Sequence, residues 1–194
     1  MTTERDGRGG PESAARTDLV ADLTRWLIDT RSEAASASRA RERWLRQQAE
    51  EEARFAGILL DLAERDRPLV VQLAHDRRHR GHVRAVAEDF LALRTLEGTD
   101  VLLRYAGIVA ARPEGPDVLL DGDRPCALDM RFAEAVVAIC AERPRVLVVT
   151  LDGSRSSGEL RAAGRDVLAL RLDGRDRATS YVPLAAVAEV SLTR

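Results

Sequence analysis

Hydrophobic positions along this chain switch between a helical and an extended spacing, and the switch happens twice in the same order. Near the N-terminus, Leu19, Leu23, Trp26 and Leu27 in "TDLVADLTRWLIDT" fall on one helical face, with Thr17 or Asp18 as cap. The stretch "SRARERWLRQQAEEEARF" continues as helix, its mixed Arg and Glu positions suiting a solvated face. Phe55, Ile58, Leu59 and Leu62 then recur at helical spacing, and so do Phe132, Val136, Ile139 and Cys140. Each of these helices is followed by β-branched runs that read as strands, "PLVVQLA" and "RVLVVTL".

The two stretches are copies of one unit. "AERDRPLVVQLAH" (63–75) lies over "AERPRVLVVTLDG" (141–153). "GHVRAVAEDFLALR" (81–94) lies over "GELRAAGRDVLALR" (158–171), with a one-residue length difference between the two blocks. Such self-similarity marks an internal repeat. In this alignment residues 76–80 form the tip between the first two strands, opposite "SRSS" in the second copy. Gly81 and Gly158 open the second strand, "DFLALR" and "DVLALR" form the third, and "VLLRYAGIVAA" and "YVPLAAVAEVSL" each supply two more, Pro183 marking a break. One helix and about five strands in roughly 60 residues close most economically as a small bent barrel.

This order, with its glycine-opened strand, its "D-φ-L-x-L" strand and its "Y-V-P-L" close, resembles the Sm-like family. The bacterial Hfq branch is nearest in style, and the resemblance covers most of 55–111 and 131–192. It implies an α+β chain in which an N-terminal helical region is followed by two tandem Sm-like or SH3-like small β-barrels, each preceded by a helix. The expected organisation is a disordered tail at 1–16, helices at 17–54, a first barrel at 55–112, an acidic Pro/Gly linker at 113–130 and a second barrel at 131–194. The resemblance further implies a binding or assembly module, with RNA or another nucleic acid as the first ligand class and a homo-oligomer through open strand edges. The alternative is a protein-interaction scaffold that binds no nucleic acid. The family's base-contacting Asn is absent from both third strands, and its Lys-His pair has no counterpart beyond Arg104.

Composition narrows this little. The hydrophobic share of 45% supports a packed core, and aromatics are scarce at 4%, so Trp26 and Trp44 read as packing anchors. All 30 basic residues are Arg, a usage expected of a GC-rich coding sequence, and the net charge of −2 gives no strong field toward a polyanion. Two cysteines, Cys126 and Cys140, make neither a disulfide framework nor a zinc motif. The polar start "MTTERDGRGGPES" shows no signal segment and no run reaches the ~20 apolar residues of a membrane span, so a cytoplasmic protein without membrane partner is expected.

The candidate chemistry gathers in "HDRRHRGH" (75–82), which holds all three histidines, with Arg84 just beyond. Arg77, Arg78, Arg80 and Arg84 offer forked donors to phosphate oxygens, and His79 and His82 add further donors, so these six are the candidate nucleic-acid contacts. A solvated hairpin tip, a zinc or nickel site built on the imidazoles and Asp76, and a histidine pH switch stand beside that reading. Four nearby arginines oppose a divalent cation, so no metal site is expected. No nucleophile elbow, zinc-protease helix or phosphate-binding glycine loop occurs. The expectation is therefore no enzyme, no catalytic residues and no cofactor.

Overall fold

The computed structural model describes residues 38–45, 47, 48, 51, 53–116, 122, 124–174 and 176–193. Contacts divide the chain into two units, Met1–Gln48 and Ala49–Arg194. In the first, residues 38–45 are helical and exposed, and Trp44 stands in solvent where a packing anchor was expected. The expected tail at 1–16, the helix at 17–30 and Trp26 lie outside the described residues.

The second unit contains both repeats. Helix α1 (Phe55–Glu64) precedes β1 (Leu69–Leu73), β2 (Arg78–Val86), β3 (Phe90–Thr95), β4 (Asp100–Arg104) and β5 (Ile108–Pro113). Helix α2 (Phe132–Cys140) precedes β6 (Arg145–Thr150), β7 (Arg155–Ala163), β8 (Val167–Leu172), β9 (Thr179–Pro183) and β10 (Val187–Thr193). The periodicities explain the elements. In β1, Leu69, Val71 and Leu73 are buried on one face, and Val101 and Leu103 do the same in β4. Leu59 and Leu62 of α1, and Phe132, Ala135 and Val136 of α2, turn the helical apolar stripes inward.

The pairing overturns the expectation of two closed Sm-like barrels. The ten strands of the described residues form one antiparallel sheet in the order β5-β1-β2-β3-β4-β10-β6-β7-β8-β9. Each repeat keeps the same internal order, yet β4 of the first hydrogen-bonds to β10 of the second, with Glu189 opposite Leu103, Val190 opposite Leu102 and Ser191 opposite Val101. Edge groups that a barrel would satisfy by closing on itself are satisfied by the sibling repeat instead. The sheet therefore runs on, bent by bulges at Val83/Ala85, Leu160/Ala162 and Val187/Glu189, and remains open at β5 and β9.

The cores follow this continuity. Leu59, Leu62, Leu69, Val71, Leu91 and Leu103 anchor one buried cluster. Phe132, Val136, Val148, Leu160 and Leu170 anchor the other, which also takes in Ala87 and Phe90 from the first repeat. The Phe90 and Phe132 rings meet edge to face at 5.9 Å.

The structure also moves the repeat register by one residue. Letter matching sets Leu69 over Leu147, but Leu69 pairs with Gly81 as Val146 pairs with Gly158, which sets Leu69 over Val146. Asp66 and Arg143, both with left-handed backbone, also correspond. The β1–β2 and β6–β7 connections thus have equal length, and the repeats first differ in length between their third and fourth strands. Only residues 74–77 make the tip, while Arg78, His79, Arg80 and His82 belong to β2. Gly81 and Gly158 sit within their strands where the backbone of the third strand crosses closely: a Cβ on Gly81 would lie 2.0 Å from the Arg94 carbonyl oxygen. Among the described residues no helix is long and apolar enough to cross a membrane.

Candidate functional site

Strand β10 carries one acid in a fully buried run, Val187–Ser191. Glu189 has no exposed side-chain surface, so its oxygens need partners from within the protein. Arg77 supplies two, its Nε donating to Oε2 and its Nη2 to Oε1, both at 2.7 Å. This forked pairing is the strongest form of a charged hydrogen bond. His79 Nε2 donates to Oε2 at 2.9 Å, which fixes the proton on that nitrogen, and Ser191 Oγ donates to Oε1 at 2.5 Å. Burial pushes the Glu189 carboxyl up, but Arg77, His79 and Ser191 outweigh it and hold the group down at about 2.

The tip that delivers Arg77 is itself docked on the second repeat. His75 and Asp76 adopt left-handed backbone, at φ 61 and φ 58. This turns the His75 ring so that Nε2 donates to the Leu151 carbonyl at 2.7 Å. The ring lies against Gly153, where a Cβ would come within 2.9 Å of Cγ, so the glycine makes room for the histidine.

Three further contacts cross the same junction. Arg104, at the end of β4, donates to the carbonyls of Leu184 at 2.9 Å and Ala185 at 3.1 Å, and its guanidinium sits 5.6 Å from the Phe132 ring centre. Asp89 Oδ1 accepts from the Phe132 backbone N–H at 2.7 Å and so caps α2. Arg131 pairs with Glu88 at 2.9 Å.

The six residues singled out in the sequence do not form one patch. Arg77 and His79 are drawn into the junction; Arg80 pairs with Glu114 at 2.6 Å, and His82 Nδ1 donates to Asp66 at 3.1 Å. Arg78 and Arg84 are exposed and, among the described residues, their side chains make no hydrogen bond or ion pair. The three histidines thus serve three separate acceptors, and among the described residues no three His, Cys, Asp or Glu side chains gather as a metal site. Sequence reasoning missed Glu189, although a single acid inside "AAVAEVSL" is a visible signal of a buried partner. It also missed a polar cleft of about 410 Å³ in the second repeat, where Arg143, Arg145, Arg171 and Arg177 gather beside Glu159 and Asp173.

Comparison of the chain with protein-family models, with curated proteins and with solved structures finds no match to any of them.

Proposed function

We propose that this chain is a non-enzymatic assembly module whose open sheet edges join it to other protein. The observation that carries the proposal is the use of the arginine–histidine segment. Arg77, His79 and His75 fasten the two repeats together and Arg80 pairs with Glu114, so of the segment's phosphate-suited arginines only Arg78 and Arg84 stay unoccupied among the described residues. What remains open is the backbone of β5 and β9, each presenting a large apolar side chain to solvent, Val109 and Tyr181. An exposed edge with apolar side chains is a template for strand addition. Sedimentation velocity, on the protein alone and with labelled 20-mer RNA or DNA at low salt, tests this. The expected result is association that grows with protein concentration and no co-sedimenting nucleic acid. A particle of one chain at every concentration that carries the labelled RNA would overturn it.

A second reading keeps nucleic acid, RNA first, as the ligand but moves it from Arg77–Arg84 to the four-arginine cleft of the second repeat. Guanidinium groups there would neutralise phosphates and release counterions. On that reading, Arg171→Ala with Arg177→Ala weakens binding and flattens the salt dependence by about two in log–log slope. Arg78→Ala with Arg84→Ala leaves binding unchanged.

A further inference from the structure

The two free edges of the sheet are the two halves of a junction that the chain already makes once. Strand pairings fix the correspondence: positions 55–95 of the first repeat match those 77 further on, and positions 100–113 match those 79 further on. By this correspondence β9 is the counterpart of β4, and β5 is the counterpart of β10. Inside the chain β4 and β10 pair; among the described residues β9 and β5 have no strand beyond them.

Side chains buried at the internal junction have apolar counterparts that lie exposed at the free edges. Phe132 is 1% exposed, and its counterpart Phe55 is 38% exposed. Buried Phe90 corresponds to exposed Val167, and buried Ala188 to Val109, 66% exposed. Half-buried Leu102 corresponds to Tyr181, 72% exposed. Beside Val167, the groove between α2 and the end of β7, lined by Ala133, Val137, Ala163 and Gly164, is open. Its counterpart in the first repeat is covered by the segment ahead of α2, where Leu128 N–H donates to the Val86 carbonyl at 3.1 Å and bridges Ala87.

The buried ion pair of the junction changes in step on both sides, whereas the His75 and Arg104 contacts have no equivalent, their counterparts being Asp152 and Pro183. Glu189 corresponds to Ala110, while Arg77 and His79 correspond to Ser154 and Ser156. Both members of the buried ion pair are therefore replaced together, and no lone charge would be trapped between copies. Asp166 corresponds to the capping Asp89, and the helix it would cap, α1, has among the described residues no side-chain cap at Arg54.

Resting on the assembly reading above, we infer that a second copy of this chain adds its β5 to β9 of the first, in the register of the internal β4–β10 ladder. Ala110 then lies opposite Val182, Ala111 opposite Tyr181 and Arg112 opposite Ser180, and the Asp166 carboxylate of one copy accepts from the Phe55 N–H of the next. Ala186 and Val109 are larger than their counterparts Gly107 and Ala188, whose close approach leaves no room for a Cβ, so the copies stand further apart at that end. The Glu88–Arg131 pair becomes Arg165 facing Arg54, a repulsion at the rim that salt screens, so association strengthens as ionic strength rises. The contact is head-to-tail, and repeating it gives a ring if the rotation closes and a filament if it does not.

Disulfide trapping in the full chain tests the register. On a Cys126→Ser/Cys140→Ser background, one preparation carries Ala111→Cys and another Tyr181→Cys. Mild oxidation of the mixture is expected to give at least tenfold more cross-linked dimer than either preparation alone, and than Ala111→Cys mixed with Thr179→Cys. Arg112→Cys with Ser180→Cys reports the same register through different side chains. If the chain associates by sedimentation while neither matched pair is enriched, this pairing is overturned and the assembly reading stands. If the chain does not associate at all, both fall.

Discussion

At the scale of single residues, Glu189 decides how the repeats hold together. A carboxylate without solvent is tolerated only while its hydrogen bonds are filled, and Arg77 fills two of four. Arg77→Ala should cost about 3 kcal/mol in urea unfolding, because it leaves a buried charge short of its strongest partner. Acid should act on the same group. Its folded-state carboxyl is depressed from 4.5 to about 2, so the folded protein binds fewer protons than the unfolded chain in that window. The stabilisation is complete above about pH 4.5 and is lost as pH falls toward 2. Urea midpoints measured across pH 2–5 should show this loss in the natural chain and much less of it in Glu189→Gln. Equal acid sensitivity in the two proteins would show that other carboxylates carry it. The histidines and arginines of "HDRRHRGH" were legible as a chemical concentration, but the acid that takes Arg77 and His79 lies 110 positions from His79, and no local pattern connects the two.

At the scale of elements, helix-then-strands was legible twice because burial leaves clear periods, and Pro183 does end β9. The register between the copies was not. The shared letters "AER" at 63–65 and 141–143 favour an alignment one residue away from the structural one. In a strand one residue exchanges the faces, and the polar run Arg78, His79 and Arg80, which reads as a tip, lies in β2. The glycines report the true register, because Gly81 and Gly158 are held by the same close backbone crossing. Gly81→Ala should therefore destabilise by about 3 kcal/mol in urea unfolding, by forcing β2 and β3 apart. Gly98→Ala, in an open turn with nothing within 4 Å of its Cβ, should lose less, through its φ of +83 alone. Similar losses at the two positions would contradict the crossing.

At the scale of the whole molecule, the duplication sets the architecture and the function proposed for it. Two repeats predict two modules, and nothing in the apolar spacing of β4 or β10 says that they pair with each other instead of closing separately. Edge pairing is made by backbone groups that every residue carries, so the sequence is nearly silent about it. The exposed counterparts Phe55, Val109, Val167 and Tyr181 are the side-chain trace of the same junction left incomplete. The most direct test of this account is complementation between edge variants, read by light scattering of chromatographed particles. Val109→Asp should disable β5 and Tyr181→Asp should disable β9, both at exposed positions that leave the fold intact. Each variant alone should remain a single chain under conditions where the natural protein assembles. A one-to-one mixture should form a dimer and nothing larger, because each partner keeps the one edge that the other lacks. Assembly by either variant alone, or a mixture that stays monomeric, would contradict the account.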